Sequence, residues 1–273
     1  LRAPFSIEGV GLHTGVPARV EVRPAAPNSG LRFITGATEI PAVADYVVET
    51  ARATVLGKDG VTISTVEHLL AAIFAMGISN AEIHVTGPEI PVADGSARRF
   101  VEAIIQAGVS PQREIRTRFV PVVPEFARDG ERAVIVLPAS HFRVRFVADF
   151  AAPIGTQYFD AEMTPEVFRD EIAGARTFGY LHEIEALLQR GLARGGTLEN
   201  ALVFTAEGPM QPMRWENEPV RHKVLDLLGD LALLGAWPQC EVIAIKSGHK
   251  LHAIATGQMR AQMRRTLRSA SVQ

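Results

Sequence analysis

With 273 residues, 47% of them hydrophobic, the chain has apolar material enough for two packed cores. A net charge of -2 excludes the broad basic field that binds nucleic acid or an anionic membrane. The single cysteine, Cys240, excludes an internal disulfide and a cysteine-rich zinc site, so any metal falls to the eight histidines and the carboxylates.

Residues 1–6 lack the apolar core of a signal peptide, and the longest apolar run, 69–78, is too short for a bilayer, which needs about 20 residues. A cytoplasmic, monomeric protein without a transmembrane segment is expected. Residues 9–15 form a glycine-rich turn that fits a strand connection, with phosphate approach as the alternative. Alternation over 18–24 predicts a half-exposed strand, and 31–63 reads as short strands and turns. A helix follows over 64–76, ending at Gly77. Ser64 and Glu67 have the spacing of a capping box, a structural role for Glu67. Glu67 and His68 together also offer a base beside a metal ligand. Strand 81–85 places His84 on the polar phase with Glu82, hence on the surface. A loop over 87–96 leads to a helix over 97–107, capped by Ser96 or Asp94.

The polar stretch 108–118, containing Pro111, reads as a boundary between domains 1–112 and 113–273. Strands are expected over 119–123, 133–137 and 142–147. Thr164 caps a helix over 164–176 with Pro165 at its first position, and 175–180 breaks the periodicity. A short amphipathic helix over 183–190, three glycines and a strand over 201–204 come next. After the 220–231 helix lie a strand over 240–245 and a turn over 246–250. A basic helix over 257–273 carries Arg260, Arg264, Arg265 and Arg268, read as solvated charge. Each half runs strands, a helix with a histidine near its start, a glycine and a strand, which hints at two α+β domains of like topology.

In the 220–231 helix, His222, Asp226 and Asp230 recur every four residues and form one polar row among leucines and valines. A helix this apolar belongs inside a domain, where a carboxylate without a partner is costly. A divalent metal on His222 and Asp226 would satisfy the row; so would solvent, or ion pairs with Arg221 and Lys223. Adding His68 gives two nitrogens and one carboxylate with a position left open, the ligand set of a catalytic zinc site. Glu67 could then take a proton from water, and Lys223 with Thr177 could meet an oxyanion. His249 could protonate a leaving amine, with Asp230 orienting its ring. Spacing alone does not bring these residues together.

Six segments carry a resemblance: 9–15 (GVGLHTG), 64–69 (STVEHL), 88–97 (PEIPVADGSA), 175–179 (ARTFG), 220–230 (VRHKVLDLLGD) and 246–249 (KSGH). In this order they resemble the UDP-3-O-acyl-N-acetylglucosamine deacetylases, zinc enzymes of the committed step of lipid A biosynthesis. The resemblance implies an α+β fold of two α/β sandwich domains, each a mainly antiparallel sheet packed against helices, with the active site between them. It implies zinc, or iron on the same ligands, held by His68, His222 and Asp226. Glu67 would be the general base, His249 the general acid, and Asp230 its support. Thr177 and Lys223 would stabilise the oxyanion. Leu12 and Phe178 would line the cleft for a UDP-linked acylated amino sugar, and Lys246 would meet its diphosphate. Residues 180–204 would supply an acyl passage lined by Leu181, Ile184, Leu187, Leu188, Leu192 and Leu198. His13 receives no catalytic role. The chain departs from the family pattern at Ala93 and over Lys250, Leu251 and His252. The competing readings are a zinc amidase for another N-acyl substrate and a non-enzymatic nucleic-acid- or protein-binding module.

Overall fold

In the 17–24 segment, Ala18, Val20 and Val22 are buried while Arg19 and Arg23 face solvent, so the alternation is that of a sheet with one covered face. The computed structural model describes residues 1–270; the last three residues of the expected 257–273 helix lie outside them. The first half contains β1 (Phe5–Val10), β2 (Pro17–Pro24), β3 (Leu31–Thr35), β4 (Thr38–Pro41), a small sheet of β5 (Val47–Glu49), β6 (Val55–Lys58) and β7 (Val61–Ile63), then α1 (Glu67–Ala75), β8 (Ala81–Thr86) and α2 (Arg98–Ala107). The second half contains β9 (Arg118–Phe119), β10 (Glu125–Asp129), β11 (Arg132–Pro138), β12 (Arg143–Asp149), β13 (Thr156–Glu162), α3 (Pro165–Val167), β14 (Phe178–Tyr180), α4 (Leu181–Gln189), β15 (Leu202–Phe204), α5 (Glu218–Ala232), β16 (Trp237–Pro238), β17 (Cys240–Ile245) and α6 (His249–Ala270).

The two large sheets have one topology. Their strand orders are β1-β2-β8-β3-β4 and β10-β11-β17-β12-β13. In each, the last strand in sequence takes the centre and forms the only parallel pair, β3 with β8 and β12 with β17. In each, a histidine-bearing helix precedes that central strand and a second helix follows it. The half-to-half similarity read from the sequence is therefore a topological repeat.

The two histidine-bearing helices pack on each other between the sheets. All nine residues of α1 are buried, and Val220, Val224, Leu225, Leu227, Leu228 and Leu231 of α5 join the same apolar core. Their crossing is set by Gly229. A Cβ there would lie 2.1 Å from the Glu67 carbonyl oxygen, so only glycine lets the two backbones meet. That contact brings the start of α1 against the middle of α5.

Several expectations change. No capping box forms: α1 starts at Glu67, and Ser64 is bridged to the 88–90 loop by backbone hydrogen bonds. At α2, the first side-chain acceptor is Ser96 Oγ, 3.2 Å from the Arg98 N–H. The strand expected over 119–123 is confined to Arg118–Phe119, because Pro121 and Pro124 interrupt it. Two edge strands, β10 and β13, occupy segments whose exposed pattern gave no strand signal. The helix capped by Thr164 holds its cap, with the Val167 N–H 3.2 Å from Oγ1, but continues only as a π turn over Phe168–Ile172. Among the C-terminal arginines, Arg260 and Arg264 both engage Asp45, so this charge is not simply solvated. No helix among the described residues is long and apolar enough to cross a membrane.

Candidate metal and catalytic site

At the crossing of α1 and α5, three buried side chains turn toward one point. His222 Nε2 lies 3.3 Å and His68 Nε2 3.7 Å from Asp226 Oδ1, and one ligand atom from each residue falls within 4.8 Å of the others. The His222 Nδ1–H donates to the Ala175 carbonyl at 3.0 Å, which fixes the tautomer and leaves Nε2 as a lone-pair donor. Burial lowers the His222 pKa to about 4, despite the opposing pull of Asp226, so the ring is neutral near pH 7. Burial pushes Asp226 up, yet His222, Lys223 and His68 outweigh it and hold the carboxyl well below its ordinary value. Neutral imidazoles with an ionised carboxylate are the protonation states that bind a divalent metal, and two nitrogens with one oxygen suit an open catalytic site.

Beside these side chains stand Glu67 and His249. Glu67, at the first turn of α1, accepts the Thr54 backbone N–H on Oε2 at 3.1 Å; its Oε1 lies 3.8 Å from His249 Nε2. Burial raises the Glu67 pKa, against the pull of His249 and His68, which suits a proton acceptor. His249 is the first residue of α6 and not part of a turn after β17. Its Nδ1–H donates to Asp230 Oδ2 at 2.8 Å. Burial lowers its pKa, but Asp230, Glu67 and Asp226 more than offset this and raise it to about 9. Its protonated ring is the stable form at neutral pH, with Nε2 turned toward Glu67.

His252 adds a feature that sequence reading noted only as a departure. Its Nδ1–H donates to the same Asp230 oxygen at 2.8 Å, and the Ser247 hydroxyl donates to its Nε2 at 2.9 Å. His252 lies three residues after His249 on α6, the spacing of one helix face, and this is the signal that could have found it. Thr54 was missed altogether. It sits outside every recognisable motif, yet its hydroxyl reaches Asp230 Oδ1.

Thr177 and Phe178 enter the site from β14 and its approach. Backbone hydrogen bonds to Gly95 and Leu202 hold Thr177, and the Phe178 ring stands edge-on to His222 with centroids 6.0 Å apart. Behind them, the Arg176 guanidinium and backbone N–H converge on Glu218, which is fully buried at the start of α5. This pair ties the Thr177 segment to the helix bearing His222 and Asp226. Lys223 donates to Asp226 Oδ2 at 2.8 Å, with its ammonium 6.0 Å from the Phe178 ring centroid. Lys246 is held outside the cleft lining, paired with Asp149 at 2.8 Å and Glu131 at 3.2 Å. From Thr177 a cleft of about 320 Å³ runs between α4 and the glycine loop after it. Leu12, Phe178, Leu181, Ile184, Leu187, Leu188 and Leu198 line it; Leu192, expected there, does not.

The family model for UDP-3-O-acyl N-acetylglycosamine deacetylase (LpxC) matches residues 1–261. The chain belongs to this family. It is 45% identical over 259 residues to the UDP-3-O-acyl-N-acetylglucosamine deacetylase of Syntrophotalea carbinolica, covering 92% of this chain and 84% of that one. The protein of the same name from Myxococcus xanthus is 43% identical over 254 residues, covering 90% and 81%. That of Thermosynechococcus vestitus is 43% identical over 250 residues, covering 89% and 87%. The family is one of metalloenzymes, in keeping with the donor set of His68, His222 and Asp226.

Proposed function

We propose that this family member is a zinc-dependent deacetylase that hydrolyses the N-acetyl group of UDP-3-O-acyl-N-acetylglucosamine, releasing acetate and a free sugar amine for lipid A biosynthesis. The observation that carries the reading is the pairing of Glu67 with His249, 3.8 Å apart, beside the His68, His222 and Asp226 donors, with Phe178 joining His222 to an apolar cleft. Iron is an alternative occupant of the same ligands. A metal bound there supplies Lewis-acid polarisation of water and of the amide carbonyl.

The side chains do the rest. Glu67 accepts the proton of the attacking water through Oε1. Thr177 and Lys223 face the oxygen that gains charge as the carbonyl becomes tetrahedral, Lys223 exchanging its Asp226 contact for it. His249 gives its Nε2 proton to the amine nitrogen as the C–N bond breaks, while Asp230 holds the ring in orientation. One water is consumed, and one acetate and one amine are formed. Phe178 and Leu12 flank the sugar, and the leucines of α4 cover the 3-O-acyl chain. Residues 1–112 contribute Leu12, Glu67 and His68, and residues 113–273 the remainder, so the reaction occurs between two domains. The substrate's nucleotide fits a cytoplasmic enzyme, and one chain carries every proposed group, so a monomer suffices.

The test is acetate release from UDP-3-O-acyl-N-acetylglucosamine, compared with an N-acetylated sugar lacking UDP and acyl chain. Turnover of the first alone supports the reading. Equal turnover of both points to a general zinc amidase.

A further inference from the structure

Thr54 is fully buried in the loop before β6 and reaches both sides of the site. Its backbone N–H donates to Glu67 Oε2 at 3.1 Å, and its hydroxyl donates to Asp230 Oδ1 at 2.5 Å. The same hydroxyl oxygen is 3.2 Å from His249 Nδ1. The backbone is fixed as well, since the Val66 N–H, one residue before Glu67, bonds to the Thr54 carbonyl at 3.3 Å. One residue of the first half thus touches the proposed base and the carboxylate that orients the proposed acid.

The Asp230 carboxylate is fully engaged. Oδ2 receives the Nδ1–H groups of His249 and His252, and Oδ1 receives the Thr54 hydroxyl. Both imidazoles pull on one oxygen from the α6 side. Only the Thr54 hydroxyl holds the other oxygen among the described side-chain contacts. Without it, Oδ1 would be an unpaired buried acceptor, which favours rotation of the carboxylate. Rotation would move the oxygen that aligns His249.

Building on the deacetylase reading above, we propose that Thr54 is a positioning residue: it locks Asp230, and through it His249, at a fixed separation from Glu67. Thr54 does not line the apolar cleft, so its influence falls on the chemical step and not on substrate capture.

The experiment uses the metal-loaded enzyme and four variants: Thr54→Val, Thr54→Ser, Asp230→Asn, and Thr54→Val with Asp230→Asn. Valine keeps the shape and the backbone N–H and removes the hydroxyl; serine restores the hydroxyl. The expected result is a fall of about 10- to 100-fold in kcat for Thr54→Val, the range for losing an orienting partner, with KM and metal content unchanged. Thr54→Ser recovers most of kcat. In the Asp230→Asn background, Thr54→Val adds almost nothing, because its effect passes through Asp230. The inference is overturned by wild-type kcat in Thr54→Val, by a change confined to KM, by equal loss in the serine and valine variants, or by full additivity with Asp230→Asn. Wild-type enzyme that fails to release acetate overturns the deacetylase reading itself, whereas active wild type with an unaffected valine variant overturns only the role of Thr54.

Discussion

His249 Nε2 stands 3.8 Å from Glu67 Oε1, although the two residues are 182 positions apart in sequence and start different helices. Each is held from behind, Glu67 by the Thr54 N–H and His249 by Asp230, so their reactive atoms face a shared space. An amide bound beside this pair would have an acceptor for the water proton and a donor for its nitrogen.

Glu67→Gln and His249→Gln should therefore each lower kcat by about 10²- to 10⁴-fold, the usual worth of a positioned acid or base. Metal content should stay at the wild-type level, because neither residue belongs to the His68, His222 and Asp226 set. Steady-state kinetics with metal analysis of each variant checks both parts.

Gly229→Ala places a methyl group where the Glu67 carbonyl already sits, and a backbone atom cannot swing aside as a side-chain tip can. The α1–α5 crossing must open, at a cost of about 1–3 kcal/mol or more. A lowered urea midpoint with reduced activity is expected. An unchanged midpoint would show that the crossing is looser than the geometry implies.

The Glu218 pair with Arg176 should matter most away from acid. Burial raises the Glu218 pKa, but Arg176 and the backbone N–H groups of Arg214 and Arg176 outweigh it, leaving the folded value below 4.5. The stabilisation is thus present above 4.5 and is lost as pH falls through the folded value. Glu218→Gln leaves a buried guanidinium without its counter-charge, a loss of about 3–5 kcal/mol near pH 7. Thermal unfolding from pH 7 to pH 3 should show the variant's deficit shrinking toward acid.

Cys240 is fully buried in β17, and burial pushes its thiol up to about 12. Native enzyme should resist iodoacetamide at pH 8 and become alkylated only in denaturant. Mass spectrometry of both samples gives the answer directly.

Much of this was legible in the sequence because local rules and chemistry coincided. The four-residue spacing of His222, Asp226 and Asp230 on an otherwise apolar helix left a buried row and a solvent-facing one open, and the structure buries all three on α5. The topological repeat was also visible, as a histidine-bearing helix, a glycine and a strand in each half. Long-range choices were hidden. Ser64 and Glu67 match a capping box, but Glu67 turns inward to Thr54 because α5 approaches closely at Gly229. Thr54 has no local signature, since its partner Asp230 lies 176 residues away. His252 reads as an ordinary polar residue until α6 is seen to begin at His249. The edge strands β10 and β13 alternate too weakly to announce themselves, since each has only one fully covered residue.

Amide hydrolysis should depend on a metal held by His68, His222 and Asp226. The most direct measurement strips the protein with a chelator, restores about one equivalent of zinc, and follows acetate release from UDP-3-O-acyl-N-acetylglucosamine beside an Asp226→Ala variant. Activity should disappear on stripping, return with stoichiometric zinc, and be absent from the variant, which should also bind zinc weakly. Undiminished acetate release from the stripped protein, or a variant that binds zinc and turns over like the wild type, would contradict it.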